Sequence, residues 1–155
     1  MHIRMAERQD LAAIHDLVRE LAIYEQAEEE FVASLEDYQT DFDNQVFEVL
    51  LAEEAGVITG MALYYMTYST WKGKRIYLED LIVTEEERGQ GAGKMLFDSI
   101  IQKGLEEGCS GMMWQVLDWN EPAINFYKKY YNATIDEQWF NCSLQDSEMR
   151  EILNK

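Results

Sequence analysis

The apolar run Leu81-Ile82-Val83 leads through residues 84–87 into Arg88-Gly89-Gln90-Gly91-Ala92-Gly93-Lys94, and the amphipathic segment 95–105 follows directly. That order predicts a strand, a glycine loop and a helix start. Glycines at alternate positions remove the side chains that would keep a ligand off the backbone, so successive N–H groups at a helix N-terminus can face one anion. A phosphate or pyrophosphate suits such a loop. A triphosphate-binding loop needs a hydroxyl residue after its lysine to meet a magnesium ion, whereas Met95 follows Lys94 here. A dinucleotide fingerprint spells Gly-x-Gly-x-x-Gly early in a βαβ unit, whereas this chain spells Gly-x-Gly-x-Gly with no first strand of that kind before it. A glycine-rich hairpin turn is the other reading of the loop; the helical pattern after it argues against that.

The chain has 155 residues, which is about one domain and enough to bury a core without staples. No apolar run approaches the roughly 20 residues of a membrane span, and the N-terminal residues carry no export signal. Cys109 and Cys142 lack metal-ligand spacing, and His2 and His15 lie far from them in sequence. Free thiols, no metal and a cytoplasmic address are expected. Thirteen basic residues stand against thirty acidic ones, giving a net charge of −17. Such a field repels a nucleic acid backbone and draws cations toward acidic clefts, so a small cationic molecule is the better partner.

Hydrophobic periodicity predicts a short strand at Ile3 and Met5 and a helix carrying Leu11, Ile14, Val18 and Leu21 to near Glu25. Ser34 is placed to cap a short helix over 35–42, with Asp37 as the shorter relative of a capping-box glutamate. Strands are expected over 47–52, 56–68 and 75–83. The helix over 95–105 ends where Gly108 can turn left-handed. A strand over 112–117 follows, then a helix over 121–130 with Asn120 as cap, Pro122 in its first turn and Asn132 beyond its end. Two short strands, 133–136 and 138–143, close the list. The order is that of a mixed α/β layer fold with helices on both faces of a central sheet.

Five blocks, in order, resemble the GNAT superfamily of N-acetyltransferases, specifically its diamine acetyltransferase branch of spermidine/spermine and thialysine acetyltransferases. They are Glu20-Leu21-Ala22-Ile23-Tyr24-Glu25, Tyr64-Tyr65-Met66-Thr67-Tyr68, Tyr77-Leu78-Glu79-Asp80, the glycine loop, and Trp119-Asn120-Glu121-Pro122-Ala123-Ile124-Asn125-Phe126-Tyr127-Lys128. The resemblance implies the GNAT fold, with a splayed strand pair in its sheet, and acetyl-CoA as the bound coenzyme. The pantetheine arm would lie along Leu81, Ile82 and Val83, with the pyrophosphate on Arg88, Gly89, Gln90, Gly91, Ala92, Gly93 and Lys94. Asn120, Pro122 and Ala123 would touch the cofactor from the neighbouring strand's end. Relatives assemble as homodimers, which implies the same here.

The resemblance also assigns chemistry. An alkyl ammonium with a pKa of ~10.4 must lose a proton before it can attack a thioester, a deficit of roughly 4–5 kcal/mol at neutral pH. Glu79 lies where the family places its base, directly or through a water. Asp80 adds negative potential, and as strand neighbours the two are expected on opposite faces. A structural salt bridge from Glu79 to Arg75 or Lys74 is the alternative. Tyr127 matches the general acid that protonates the leaving thiolate. Neither cysteine matches a nucleophile, so direct attack in a ternary complex is implied. Tyr24, Glu25, Trp71, Trp119 and Glu137 match substrate-contacting positions, and carboxylates and aromatic faces both suit a cation. Met113, Trp114 and Gln115 are further pocket candidates.

One departure bears on the substrate. Spermidine-using members carry an acid two positions before the loop tryptophan, and this chain has Ser69 there, as thialysine-using relatives do. A lysine analogue or another small amine is therefore favoured over a polyamine. A protein or antibiotic amine, and a non-catalytic acyl-CoA sensor, are the alternatives.

Overall fold

Val49, Leu51, Met61 and Leu63 alternate with Leu50, Ala52, Ala62 and Tyr64 along two neighbouring strands, and every one of them is buried. A strand apolar on both sides must be covered on both sides. The computed structural model, which describes residues 1–154, shows how. In the unit Met1–Gln115, five strands lie in sequence order, β1 (His2–Met5), β2 (Glu48–Glu54), β3 (Val57–Ser69), β4 (Gly73–Val83) and β5 (Met112–Met113). The first four pair antiparallel, and β4 pairs parallel with β5. The mixed α/β sheet is the one expected.

Helix α1 (Leu11–Tyr24) sets Leu11, Ile14 and Leu17 against Val49, Leu51, Met61, Leu63 and Ile82 on one face. Helix α3 (Ala92–Glu106) covers the other, where Gly60 faces Leu96 and Gly104 faces Ile76. Helix α2 (Leu35–Asp43) is capped as its sequence predicts. Asp37 N–H donates to Ser34 Oγ at 3.0 Å and Ser34 N–H donates to Asp37 Oδ2 at 2.9 Å, so the shorter acid completes the box. Ala55 and Gly56, both at positive φ, form the tight turn that joins β2 to β3.

Two irregularities position the site. In the β3–β4 ladder Leu63 pairs with Asp80 and Tyr64 with Leu78, which leaves Glu79 as the extra residue of a β-bulge. On the other side of β4 only Ile76 and Tyr77 pair with β5. From Leu78 onward that edge of β4 has no ladder partner among the described residues, and the strand expected over 112–117 is cut to Met112–Met113.

In the second unit, Val116–Lys155, helix α4 (Glu121–Tyr131) starts at Asn120, whose side chain accepts from Ala123 N–H at 3.3 Å, and ends on Asn132 in the left-handed region. The strands expected over 133–136 and 138–143 do not form. Asp136 Oδ1 instead accepts the Gln138 N–H at 2.9 Å, a local turn that takes an amide a ladder would need. A helix absent from the sequence reading, α5 (Asp146–Leu153), follows. Among the described residues no helix is long and apolar enough to cross a membrane.

Candidate active site

The glycine loop connects the end of β4 to α3. Its course is held from outside: Arg88 Nε donates to the Val83 carbonyl at 3.2 Å and Gln90 Nε2 to the Glu86 carbonyl at 3.4 Å. Gly89 and Gly91 have φ of 81° and 92°, a left-handed conformation that side chains resist. Nothing stands within 4 Å of where their Cβ atoms would be, so the space over the loop is open. Helix α3 begins at Ala92, three residues before the expected Met95, which puts Gly93 and Lys94 inside its first turn.

A helix leaves its first N–H groups without internal partners. Here the amides of Gly89, Gly91, Ala92 and Gly93 donate to no group among the described residues, and no acidic side chain occupies the first turn. The positive end of the helix is therefore free to receive an anion. Lys94 pairs with Asp98 at 2.7 Å. The Arg88 guanidinium lies 5.5 Å from the centroid of the Tyr24 ring, which ties the loop to the end of α1. Gly93 packs at the end of β4, where a Cβ would meet Val83 Cγ2 at 3.6 Å. The free edge of β4 and the free amides of α3 thus adjoin, as a strand-like arm ending in a diphosphate requires.

The acidic half of the site comes from the bulge. Asp80 lies opposite Leu63, which belongs to the α1 face, and Glu79 accepts a 2.8 Å hydrogen bond from the hydroxyl of Tyr65 on that same face. The expectation that Glu79 and Asp80 point to opposite faces fails because a bulge breaks the two-residue alternation. Tyr65 stacks on Tyr77 with centroids 5.3 Å apart. Glu25 caps the C-terminus of α1 and joins the cluster through its charge.

Burial, then Glu79, then Glu25 push the Asp80 carboxyl up to about 7. Burial also raises Glu25. The Tyr38 phenol is pushed up to about 12 by burial and by the charges of Asp80 and Glu79, and the Tyr65 and Tyr77 phenols rise for the same kinds of reason. Like charges held together without a cation are unfavourable unless a cation arrives. Neither Arg75 nor Lys74 forms an ion pair with Glu79 among the described residues; Arg75 Nε is itself buried without a partner there.

The structure brings Tyr24, Arg88, Gly89, Gln90, Gly91, Ala92 and Gly93 together at the loop, and Glu25, Glu79 and Asp80 at the acidic cluster. It leaves Trp71 apart at the tip of the β3–β4 hairpin, 91% exposed. Ser69 accepts from the Trp71 and Lys72 amides at 3.3 and 3.1 Å, so it serves that turn. Trp114 packs edge-on against Phe97 of α3, with centroids 5.1 Å apart. In the second unit, Asn120, Pro122, Ala123 and Tyr127 share α4 and its cap, while Trp119 and Glu137 lie outside helices. Sequence reasoning missed Tyr38, Tyr65 and Tyr77. Tyr65 and Tyr77 stood in matching blocks, but no spacing rule announces a partner across a ladder.

Residues 11–132 match the acetyltransferase (GNAT) family. The chain belongs to that family. This GNAT acetyltransferase is 36% identical to thialysine N-epsilon-acetyltransferase of Sus scrofa, over 99% of this chain and 97% of the relative. It is 36% identical to spermidine/spermine N(1)-acetyltransferase-like protein 1 of Homo sapiens, over 81% of this chain and 19% of that one. The crystal structure of a predicted acetyltransferase from Clostridium acetobutylicum with acetyl-CoA superposes with a TM-score of 0.72, at 16% identity over 92% of this chain and 95% of that one, a likeness of fold. The GNAT chain is thus an N-acetyltransferase close to the thialysine and polyamine acetyltransferases.

Proposed function

We propose that this enzyme acetylates the primary amine of a small cationic substrate, a lysine analogue such as thialysine or a diamine, by direct attack in a ternary complex with acetyl-CoA. The observation that carries the reading is the pairing, on one strand, of a free edge leading to helix amides without a partner among the described residues with an acidic cluster that no lysine or arginine among those residues neutralises. The C-terminal end of that strand suits a diphosphate, and the bulge a few residues before it suits an ammonium.

Acetyl-CoA supplies the activated acetyl group. The amides of Gly89, Gln90, Gly91, Ala92, Gly93 and Lys94, with Arg88, hold the diphosphate, and the free edge at Leu81, Ile82 and Val83 takes the arm. An unpaired amide on that edge stabilises the oxyanion. Asn120, Pro122 and Ala123 complete the cofactor contacts. Glu79 removes the ammonium proton, directly or through a water, with Asp80 beside it adding negative potential, and Tyr127 protonates the departing sulfur. Glu25 and Tyr24 orient the amine, with Trp71, Trp119 and Glu137 as further substrate contacts.

Steady-state assays with acetyl-CoA and thialysine, lysine, ornithine and spermidine test this. Turnover of at least one, with thialysine ahead of spermidine, is expected; coenzyme binding with no amine acetylated would leave a sensor instead. Tyr127→Phe should lower kcat by about 10²–10⁴-fold while coenzyme binding persists. Unchanged turnover in that variant removes the proposed acid.

A further inference from the structure

We propose that Arg75 recognises a carboxylate on the substrate, which makes the acceptor a lysine-like amino acid rather than a diamine or polyamine. The inference rests on the amine acetyltransferase reading above and deepens it by naming the substrate class of the same site.

Strand register places the guanidinium. From Gly73 to Leu78 the β3–β4 ladder is regular, with Thr67 opposite Arg75, Met66 opposite Ile76 and Tyr65 opposite Tyr77. Ile76 is buried against Gly104 of α3. Alternation then sends Arg75 and Tyr77 to the other face, where Tyr65 packs against the core cluster and its hydroxyl holds Glu79. Arg75, Tyr77 and Glu79 therefore follow one another along one side of β4.

Arg75 is a cation without a counterion in a chain of net charge −17. It makes no ion pair and no hydrogen bond among the described residues, and its Nε is the only buried side-chain polar atom without a partner among them. A Cβ at Gly111 would stand 3.7 Å from that Nε, so the middle of the side chain is packed against backbone. Nη1 and Nη2 have no partner either, yet they are not buried, and the tip of the guanidinium stays open to a ligand. A charge that has lost water on its inner side and meets no protein anion on its outer side gains most from an anion brought to it. A carboxylate fits, because its two oxygens match the paired N–H groups at the tip.

The spacing suits one molecule spanning both charges. Between Arg75 and Glu79 the backbone advances about 13 Å at ordinary strand rise, and the two side chains cover part of that length. A lysine-like amino acid carries its terminal ammonium and its carboxylate at opposite ends of an extended chain. Tyr77 lies between the two residues, its ring stacked on Tyr65 with centroids 5.3 Å apart, and gives the connecting atoms an apolar floor. Arg75 also acts against competitors. A diamine or polyamine held at Glu79 would set its second ammonium near the guanidinium, where like charges repel.

Values of kcat/KM for thialysine, its carboxamide and its decarboxylated diamine test the assignment in wild type, Arg75→Gln, Arg75→Glu and Arg75→Lys, with coenzyme A binding by calorimetry showing that each variant is folded. In wild type the carboxamide and the diamine should both fall about 10–100-fold below thialysine, mostly through KM. Arg75→Gln should bring the three within about threefold of one another, and Arg75→Glu should put the diamine first. Arg75→Lys, which keeps the charge without the fork, should recover part of the preference. A wild type that acetylates the carboxamide as well as thialysine overturns the assignment, and so does a preference that Arg75→Gln and Arg75→Glu leave intact. Failure of wild type to acetylate any amine strikes the function reading and this inference with it, whereas turnover without the preference strikes this inference alone.

Discussion

Gly60 lies so close to Ile82 that a Cβ at Gly60 would stand 2.8 Å from the Ile82 carbonyl oxygen. It would also meet Leu96 Cδ1 at 3.2 Å and Val83 Cγ2 at 3.4 Å. The close approach seats the end of β4 between β3 and α3, where the free edge and the glycine loop begin. Gly60→Ala must push backbone, which does not yield as a flexible side chain does. A loss of about 1–3 kcal/mol in urea unfolding is expected, together with weaker coenzyme binding. Unaltered stability would show that β4 can shift freely.

Asp10 anchors the N-terminal strand. Arg4 grips it with two bonds of 2.9 and 3.0 Å and reaches Glu53 at 2.8 Å, and Asp10 also accepts the Glu7 amide at 2.7 Å. The Arg4 hydrogen bonds hold the Asp10 carboxyl below its ordinary 3.8 against the opposing effect of burial. A depressed carboxylate contributes its stability above the unfolded value and loses it as pH falls through the folded value. Asp10→Asn should cost about 1–3 kcal/mol near neutrality, and the gap to wild type should close as pH drops below about 4. Urea titrations across that range check it; a gap independent of pH would separate the effect from the ion pair.

Gly91 caps α3 at a φ of 92° beneath open space. Gly91→Asp adds backbone strain and sets a carboxylate where the diphosphate is proposed to bind. Coenzyme A should bind at least about tenfold more weakly by calorimetry, about 1.4 kcal/mol. Affinity equal to wild type would move the binding site away from this loop.

Much of the fold was legible because the signals were local. Ser34 with Asp37, Asn120 with Ala123, and Asn132 at the end of α4 all act within a few residues of chain, and each is found as the sequence implies. The glycine loop is local too, which is why the expected order of strand, loop and helix is found with only the helix start moved. What escaped depends on partners distant in sequence. No property of Glu79 itself marks a bulge; it follows from pairing with Leu63 and Tyr64. The β-rich composition near Trp139 and Phe140 suggested strands, but a strand needs an edge to join, and the Asp136 turn spends the local amide. Helix α5 carried a readable sign in Met149, Ile152 and Leu153 at helical spacing, with Gln145 and Glu148 closing a capping box.

The account stands on the backbone donors at the mouth of α3, and a titration of labelled protein with coenzyme A, followed by amide NMR, examines them one by one. The amides of Gly89, Gly91, Ala92 and Gly93 should shift together and saturate at one coenzyme concentration, with dephosphorylated pantetheine, which lacks the diphosphate, leaving them unmoved. Saturable binding that shifts amides elsewhere and leaves these in place would contradict it.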